Sequence, residues 1–442
     1  MSTVSTQDGA GANGEHEAVI RKEVPSFLTR LSYAGYMYGL KSILAAFFWL
    51  REWKESRNPP EGGPDIVKTY ECRPHLPVRI FFPSSYDQTS PVALPTLFTI
   101  HGGGFCVGHQ RDDDEWNRAF ADSYSVLVIS LNYSKAPTYP FPAAPHDVEA
   151  LLLAALEDAS LPIDRGARAP ASRTAILGFS AGGNLALSVS QLPAVRAHPL
   201  APRAAITVYG SLDLSCPPHE KLQNRPYKPA LRAPRGNWTW TGTGTDPVLA
   251  LAPASDWSYI PYGQDLRDPL LSPLYYRDRA ALPAFVGVVA AELDMLAHES
   301  WRFACRLSRG RAVPDRRSAD ARRRVCGDPH GRVTSRPGEL IGLLPGREDE
   351  RFAFEETVYA SPPPPPPPSY YSSAGSGGGG GGGVAAVGGV KWLLVPDVLH
   401  GFDNPHMRAL MGGTETIKDA ELKTEAYRAE LARWLKEVVW RV

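Results

Sequence analysis

Residues 174–189 read TAILGFSAGGNLALSV. An apolar run (Ala175, Ile176, Leu177) leads into Gly178-Phe179-Ser180-Ala181-Gly182, and a small-residue stretch from Gly183 to Gln191 follows with the look of a helix. A strand that turns sharply through G-x-S-x-G into a helix lifts the serine hydroxyl clear of the backbone, because the flanking glycines permit a turn too tight for larger residues. The helix N-terminus beneath it favours developing negative charge. Ser180 is therefore the candidate nucleophile.

A serine hydroxyl is a weak nucleophile at neutral pH and needs a base, which needs an orienting carboxylate. Upstream, His101-Gly102-Gly103-Gly104-Phe105 follows the apolar run Leu97–Ile100. Glycines there let backbone N–H groups face a substrate oxygen without side chains in the way. Gly103 and Gly104, with the N–H of Ala181, are the expected oxyanion donors, and His101 is expected to prop the loop. The histidines after Ser180 are His198, His219, His298, His330, His400 and His406. His400 is the expected base, since it follows the apolar run Trp392–Val395 by a short loop. Asp294 is the expected acid, directly after the run Phe285–Ala290, with Glu292 the runner-up. Asp397 and Asp403 flank His400 too closely in sequence to orient its ring easily. Cys106 adjoins the glycine loop but sits on no elbow, and is read as a packed thiol.

Outward from the elbow, Ile66–Cys72 and Val78–Phe82 alternate in strand fashion around a turn at His75–Pro77, and apolar runs of strand length follow: Pro95–Ile100, Val126–Leu131, Ala204–Val208 and Ala284–Val289, besides Thr174–Leu177 and Trp392–Val395. Helix-like segments, Asp147–Glu157, Gly183–Gln191 and Glu299–Leu307, lie between several of them. Continuous apolar strands alternating with helices predict a mostly parallel sheet covered on both faces. Near Glu415–Val439 an amphipathic helix is expected, with Leu422, Tyr427, Leu431, Leu435 and Val438 on its apolar positions. Residues 1–22 are polar and read as disordered. Residues 23–58 read as one or two aromatic-rich helices. Residues 59–308 and 390–442 carry the strand–helix alternation. Residues 213–280 interrupt it with a Pro- and Trp-rich connector (Trp238, Trp240, Trp257). Residues 309–389 are Arg-rich, then hold seven prolines (Pro362–Pro368) and a glycine run (Gly377–Gly383), and read as a disordered loop. The basic cluster Arg316–Arg324 reads as part of that solvated loop.

The 442 residues are 43% hydrophobic, enough for a large core, and Lys+Arg and Asp+Glu are 47 each. That balance offers no general attraction to nucleic acid, and no such partner is expected. Five scattered cysteines without a CxxC pair argue against a disulfide framework or a zinc site, and point to a reducing, cytoplasmic setting. The first twenty residues lack the basic and apolar regions of a secretory signal. Residues 32–50 (SYAGYMYGLKSILAAFFWL) are apolar apart from Lys41, with Arg51, Lys54 and Arg57 just beyond. A helix covering an apolar pocket is the expected reading, and a membrane anchor or surface helix the alternative.

Taken together, the blocks HGGGF (101–105), NYSKAPTYPFPAAPHDV (132–148), GFSAGGN (178–184), DPLLSPLY (268–275), ELDMLAHE (292–299) and HGFD (400–403) resemble the hormone-sensitive-lipase-like family of α/β-hydrolases, which includes esterases and arylacetamide deacetylase. The resemblance implies an α/β-hydrolase fold with a central sheet of about eight strands, and a helical cap formed by the N-terminal helices and part of residues 213–270. It implies Ser180, Asp294 and His400 as a triad, Gly103, Gly104 and Ala181 as the oxyanion hole, and neither metal nor organic cofactor. Phe179 stands where the family usually has an acidic residue. More than a hundred residues separate Asp294 from His400, against a few tens in the family. The expected activity is hydrolysis of small-molecule carboxylic esters with apolar, short- to medium-chain groups, aromatic residues Tyr33, Tyr36, Phe47, Phe48 and Trp49 facing the substrate. A deacetylase or amidase, and a non-catalytic ligand receptor on the same fold, are the alternatives. Oligomeric state is not legible.

Overall fold

The two alternating segments and the six apolar runs all fold as strands of one sheet, and a ninth strand joins at its edge. The computed structural model describes residues 19–55, 57–58, 61–165, 172–223, 247–309, 353–359, 386–409 and 413–442. The strands are β1 (Ile66–Lys68), β2 (Val78–Phe81), β3 (Thr96–Ile100), β4 (Leu127–Leu131), β5 (Thr174–Phe179), β6 (Ala204–Val208), β7 (Phe285–Ala291), β8 (Ala353–Tyr359) and β9 (Ala386–Val395). Their order is β1-β2-β4-β3-β5-β6-β7-β9-β8. From β4 to β9 the neighbours are parallel, while β1, β2 and β8 enter antiparallel at the two edges.

The strands from β2 to β7 are buried along their whole length, which is why β3 to β7 read as continuous apolar runs rather than alternating ones. Alternate residues serve opposite layers, as the pleat demands. Ile176 and Val288 join the layer built with α3 (Ala143–Glu157), α4 (Ala181–Val189), the short α5 (Pro193–Ala197) and α8 (Ala297–Arg309). Leu177 and Val289 join the layer built with α2 (Asp114–Tyr124) and the C-terminal helix Thr414–Arg433. The aromatic N-terminal segment is a single helix, α1 (Phe27–Glu55). It packs against α7 (Pro247–Tyr259), beside which lies the short α6 (Pro218–Gln223). Among the described residues no helix is long and apolar enough to cross a membrane.

Three expectations are corrected. Within the reading of 1–22 as disordered, residues 19–22 are ordered by packing. Lys22 Nζ donates to the carbonyls of Asp256, Trp257 and Ile260, the cation satisfying carbonyls left open at the C-terminus of α7. Arg21 forms a β-bridge to Asp265. Within the insertion 309–389, Ala353–Tyr359 is strand β8, so the sheet has nine strands. Its segment AFEETVY is rich in strand formers, and pairing with β9 is reinforced where Glu355 meets Lys391 and Arg433. Leu422 is exposed: the buried face of the C-terminal helix runs through Ala420, Thr424, Tyr427 and Leu431 at helical spacing, and a five-residue step back from Tyr427 turns Leu422 away. Residues 1–18, Trp238, Trp240, the Arg316–Arg324 cluster, His330 and the proline and glycine runs lie outside the described residues.

Candidate active site

At the end of β5 the chain turns through Ser180, whose backbone is held at φ 53° and ψ −117°. A non-glycine residue is rarely found there, and such strain persists only where surrounding structure enforces it. The enforcement is close packing. A Cβ on Gly178 would lie 2.0 Å from the carbonyl oxygen of Gly182, and one on Gly182 would lie 2.1 Å from that of Ile100. Ser180 Oγ sits 2.8 Å from His400 Nε2, and His400 Nδ1 sits 2.7 Å from Asp294 Oδ2. The carboxylate accepts from Nδ1–H, so Nε2 carries the lone pair that faces the hydroxyl. Asp294 is fully buried, and its Oδ1 accepts from the Leu296 N–H at 3.0 Å, which fixes the carboxylate plane.

The long gap between Asp294 and His400 closes because β7 and β9 are adjacent in the sheet. The insertion leaves and returns on neighbouring strands, delivering acid and base side by side. Glu292, the alternative acid, is turned aside: its Oε2 accepts from the Asp397 N–H at 2.8 Å. His406 lies at the rim, 3.3 Å from Arg51 Nη1.

The three expected oxyanion donors each follow a carbonyl that is tied elsewhere. In a trans peptide the C=O and the next N–H point in opposite directions. The Gly102 carbonyl accepts from Tyr133 Oη–H at 3.1 Å and from His101 Nδ1–H at 2.7 Å. The Gly103 carbonyl accepts from the N–H groups of Cys106 and Val107. The Ser180 carbonyl accepts from those of Gly183 and Asn184 in α4. The N–H groups of Gly103, Gly104 and Ala181 are thereby turned the other way, and all three residues line the same cavity as Ser180 and His400. The His101 ring is buried, stacks on Tyr133 with centroids 4.5 Å apart, and approaches Lys135 Nζ at 3.1 Å through Nε2. Burial first, and Lys135 second, hold its pKa well below the ordinary histidine value, so it stays neutral.

Sequence reasoning set Asp403 aside, yet it anchors a layer behind His400. Its two oxygens accept from the phenols of Tyr209 and Tyr427, and Trp116 Nε1–H donates to Tyr427 Oη at 2.7 Å. The Tyr209 ring packs 4.7 Å from the His400 ring. Burial raises the pKa of Asp403, while both phenols work in the opposite direction. Asp113 faces the same cavity and is buried. Burial, then the nearby carboxylates Asp112 and Asp403, push it well above the ordinary range. The only signal available in sequence was Asp403 following His-Gly-Phe. Nothing local indicated Tyr209, which lies just beyond β6. Phe179 is buried between Trp116 and Tyr209.

The cavity over Ser180 has a volume of about 410 Å³. Leu44, Phe47 and Phe48 of α1 and Val248 and Leu251 of α7 form its apolar wall. Of the aromatic residues expected at the substrate, Phe47 and Phe48 line it. Tyr36 and Trp49 are exposed, and Tyr33 packs on Trp257. Helical geometry turns Trp49 away from Phe47 and Phe48, whereas Tyr36 shares a side with Phe47 and lies three turns away, roughly 16 Å along the axis. Lys221 of α6 also reaches the cavity, 2.7 Å from the buried Glu299 Oε2. Desolvation pushes the Glu299 carboxyl up to about 7, against the opposing pull of Lys221. Among the described residues no group of three or more His, Cys, Asp or Glu side chains is placed to hold a metal ion.

Residues 97–315 match a family described as having the alpha/beta hydrolase fold. An arylesterase of Saccharolobus solfataricus is 30% identical over 233 residues, covering 52% of this chain and 66% of that protein. An arylacetamide deacetylase of Oryctolagus cuniculus is 33% identical over 167 residues, covering 37% of this chain and 40% of the relative. The matches thus span from two fifths to just under two thirds of these relatives' lengths. A solved esterase of Pyrobaculum calidifontis superposes with a TM-score of 0.53 at 18% identity, covering 93% of this chain and 98% of that one, a likeness of fold.

Proposed function

Because the chain has the alpha/beta hydrolase fold, we propose that it hydrolyses carboxylic esters through an acyl-enzyme on Ser180. The observation that carries this reading is the hydrogen-bonded line Ser180–His400–Asp294, lying in one cavity with three amides turned inward. Ser180 Oγ attacks the ester carbonyl carbon while His400 Nε2 takes its proton. Asp294 keeps the imidazole in the needed tautomer and stabilises the imidazolium. Charge developing on the carbonyl oxygen meets the N–H groups of Gly103, Gly104 and Ala181, which need no reorganisation as the reaction proceeds. The alcohol leaves with the proton from His400. Water, deprotonated by His400, then attacks the acyl carbon, releasing the acid and restoring Ser180.

A cavity of about 410 Å³ lies near the lower end of the range for small-molecule sites, roughly 300–1,000 Å³. With its apolar wall, that supports short- to medium-chain esters over long acyl chains, and α1, α6 and α7 as the cap. Amide cleavage is a second reading, favoured by the 33% identity to an arylacetamide deacetylase. Hydrolysis of p-nitrophenyl acetate, butyrate and palmitate tests the proposal, with an aryl acetamide alongside. Butyrate should turn over faster than palmitate, and Ser180→Ala should lose roughly a thousandfold or more of kcat. Folded wild-type protein that neither hydrolyses these esters nor labels with a fluorophosphonate would instead be a ligand receptor on this fold.

A further inference from the structure

A line of hydrogen bonds runs from behind the glycine loop to one of its expected oxyanion donors. Lys135 Nζ lies 3.1 Å from His101 Nε2, and His101 Nδ1–H donates to the Gly102 carbonyl at 2.7 Å. That carbonyl shares its peptide with the Gly103 N–H, which points the opposite way. The bond to Gly102 places the ring proton on Nδ1, so Nε2 is a lone pair and Lys135 is the donor to it. His101 and Gly103 line the cavity with Ser180, and Lys135 is not among the residues that line it.

The ammonium of Lys135 spends its three N–H groups on neutral acceptors: His101 Nε2, Asn132 Oδ1 at 3.1 Å and the Tyr133 carbonyl. It also lies 3.8 Å from the centroid of the Tyr133 ring, on which the His101 ring stacks. The acids whose charge reaches it are Asp147 of α3 and Asp112. Both are committed elsewhere, Asp147 to Arg73 and the Ser134 N–H, Asp112 to Arg51 and the His109 N–H. Lys41 of α1 adds a like charge from the other side, where it donates to the Ala136 carbonyl, and neutral His109 faces the same group. The field of Lys135 therefore acts on the dipoles of the loop. Hydrogen bonds in a chain polarise one another. A cation on Nε2 makes Nδ1–H the stronger donor, and the more strongly bonded carbonyl makes the N–H of its own peptide a stronger donor in turn.

On the ester-hydrolase reading, we propose that Lys135 is a positioning residue of the oxyanion hole, its ammonium acting through His101 and the Gly102–Gly103 peptide to strengthen the Gly103 N–H towards the developing oxyanion. The effect lasts only while Lys135 is charged. Burial, then Lys41, pulls its pKa down to about 7, with Asp147 and Asp112 opposing. The cation is thus present below neutrality and lost above it. Polarisation of this kind adds about 10–30% to a hydrogen bond, and one oxyanion donor is worth about 10²–10³ in kcat. That fraction of the exponent amounts to roughly 2- to 8-fold in kcat.

The test compares the full chain with Lys135→Gln, which keeps an N–H but carries no charge. Turnover of p-nitrophenyl butyrate is followed from pH 6 to pH 9, with thermal unfolding alongside to establish that both proteins are folded. Titration of His400 is common to the two and cancels in their ratio. Wild-type kcat should exceed that of the variant by roughly 2- to 8-fold at pH 6. The ratio should then fall towards one as pH rises through about 7, with KM little changed. A butyl trifluoromethyl ketone supplies the second readout. Its carbonyl carbon bonds Ser180 Oγ, the serine proton passes to His400, and the carbonyl oxygen becomes an oxyanion. Its inhibition constant should weaken by the same factor at pH 6. Should Lys135→Gln fail to fold, Lys135→Met is read in the same way. A ratio constant from pH 6 to pH 9, or a lower kcat with unchanged ketone affinity, would overturn this inference and leave the ester-hydrolase reading standing. Folded wild-type protein that neither turns over the ester nor labels with a fluorophosphonate would overturn both.

Discussion

Replacing Gly103 by Ala should cripple turnover far more than it destabilises the fold. Gly103 has φ +116°, a region open essentially to glycine alone, and a residue forced there costs about 1–3 kcal/mol. The added Cβ would also lie 2.1 Å from the Val107 carbonyl oxygen, well inside the 3.0 Å below which Cβ contacts are essentially never seen. One of the two must move by roughly 1 Å, and misplacement on that scale costs on the order of 100-fold in rate. If the Gly103 N–H is lost altogether as a donor, the loss is about 10²–10³ in kcat. The expected outcome is therefore kcat down by about 10²–10³ with KM little changed. Gly263→Ala supplies the control. It has φ +75° and no atom within 4 Å of the new Cβ. It should lose about 1–2 kcal/mol of stability from backbone strain alone and keep wild-type kcat. Steady-state kinetics on p-nitrophenyl butyrate and thermal unfolding of both variants decide the matter. A folded Gly103→Ala protein with kcat within a fewfold of wild type would refute the assignment of that amide.

Two further outcomes follow from groups around the cavity. Asp403→Asn removes a negative charge near His400 and leaves one of the two phenols without an acceptor. The acid limb of kcat/KM should move to lower pH, because the imidazolium loses support, and stability should fall by about 1–3 kcal/mol. An unmoved limb in the pH profile would leave Asp403 a purely structural role. The Glu299 carboxyl is held up to about 7 from an ordinary value of 4.5. Over that window the folded state keeps a proton that the unfolded chain has lost, so stability is fully present below about 4.5 and declines as pH rises towards 7. Glu299→Gln should flatten this decline in Tm measured across the window, and a slope unchanged by the substitution would count against the burial argument.

Much of this architecture was written into local sequence. Strands buried on both faces must be apolar throughout, so the central runs were visible, while the exposed edge strand β1 showed by its alternation. The order of G-x-S-x-G, the HGGG loop and the terminal HGFD block picked out Ser180, Gly103, Gly104 and His400 as candidates. Strand β8 was hidden by its proline- and glycine-rich surroundings, since an edge strand of seven residues is stabilised by its partner β9 rather than by its own pattern. Leu422 was misread because neighbouring registers of a helix differ by only one residue in sequence. Asp403 was dismissed on sequence distance from His400, a criterion that ignores where Tyr209 lies.

By itself the sequence determined which residue types stand at the ends of which strands, because nucleophile elbow, glycine loop and buried strands each have a local physical signature. Tertiary structure alone decided which of them meet. The adjacency of β7 and β9 is a matter of sheet order, a long-range property, and it brings Asp294 to His400 across the insertion. The pairing of Asp403 with phenols from two distant elements is equally non-local. So is the division of α1 into a cavity face and an exposed face, since a helix apolar on both sides does not declare which side its neighbours will cover.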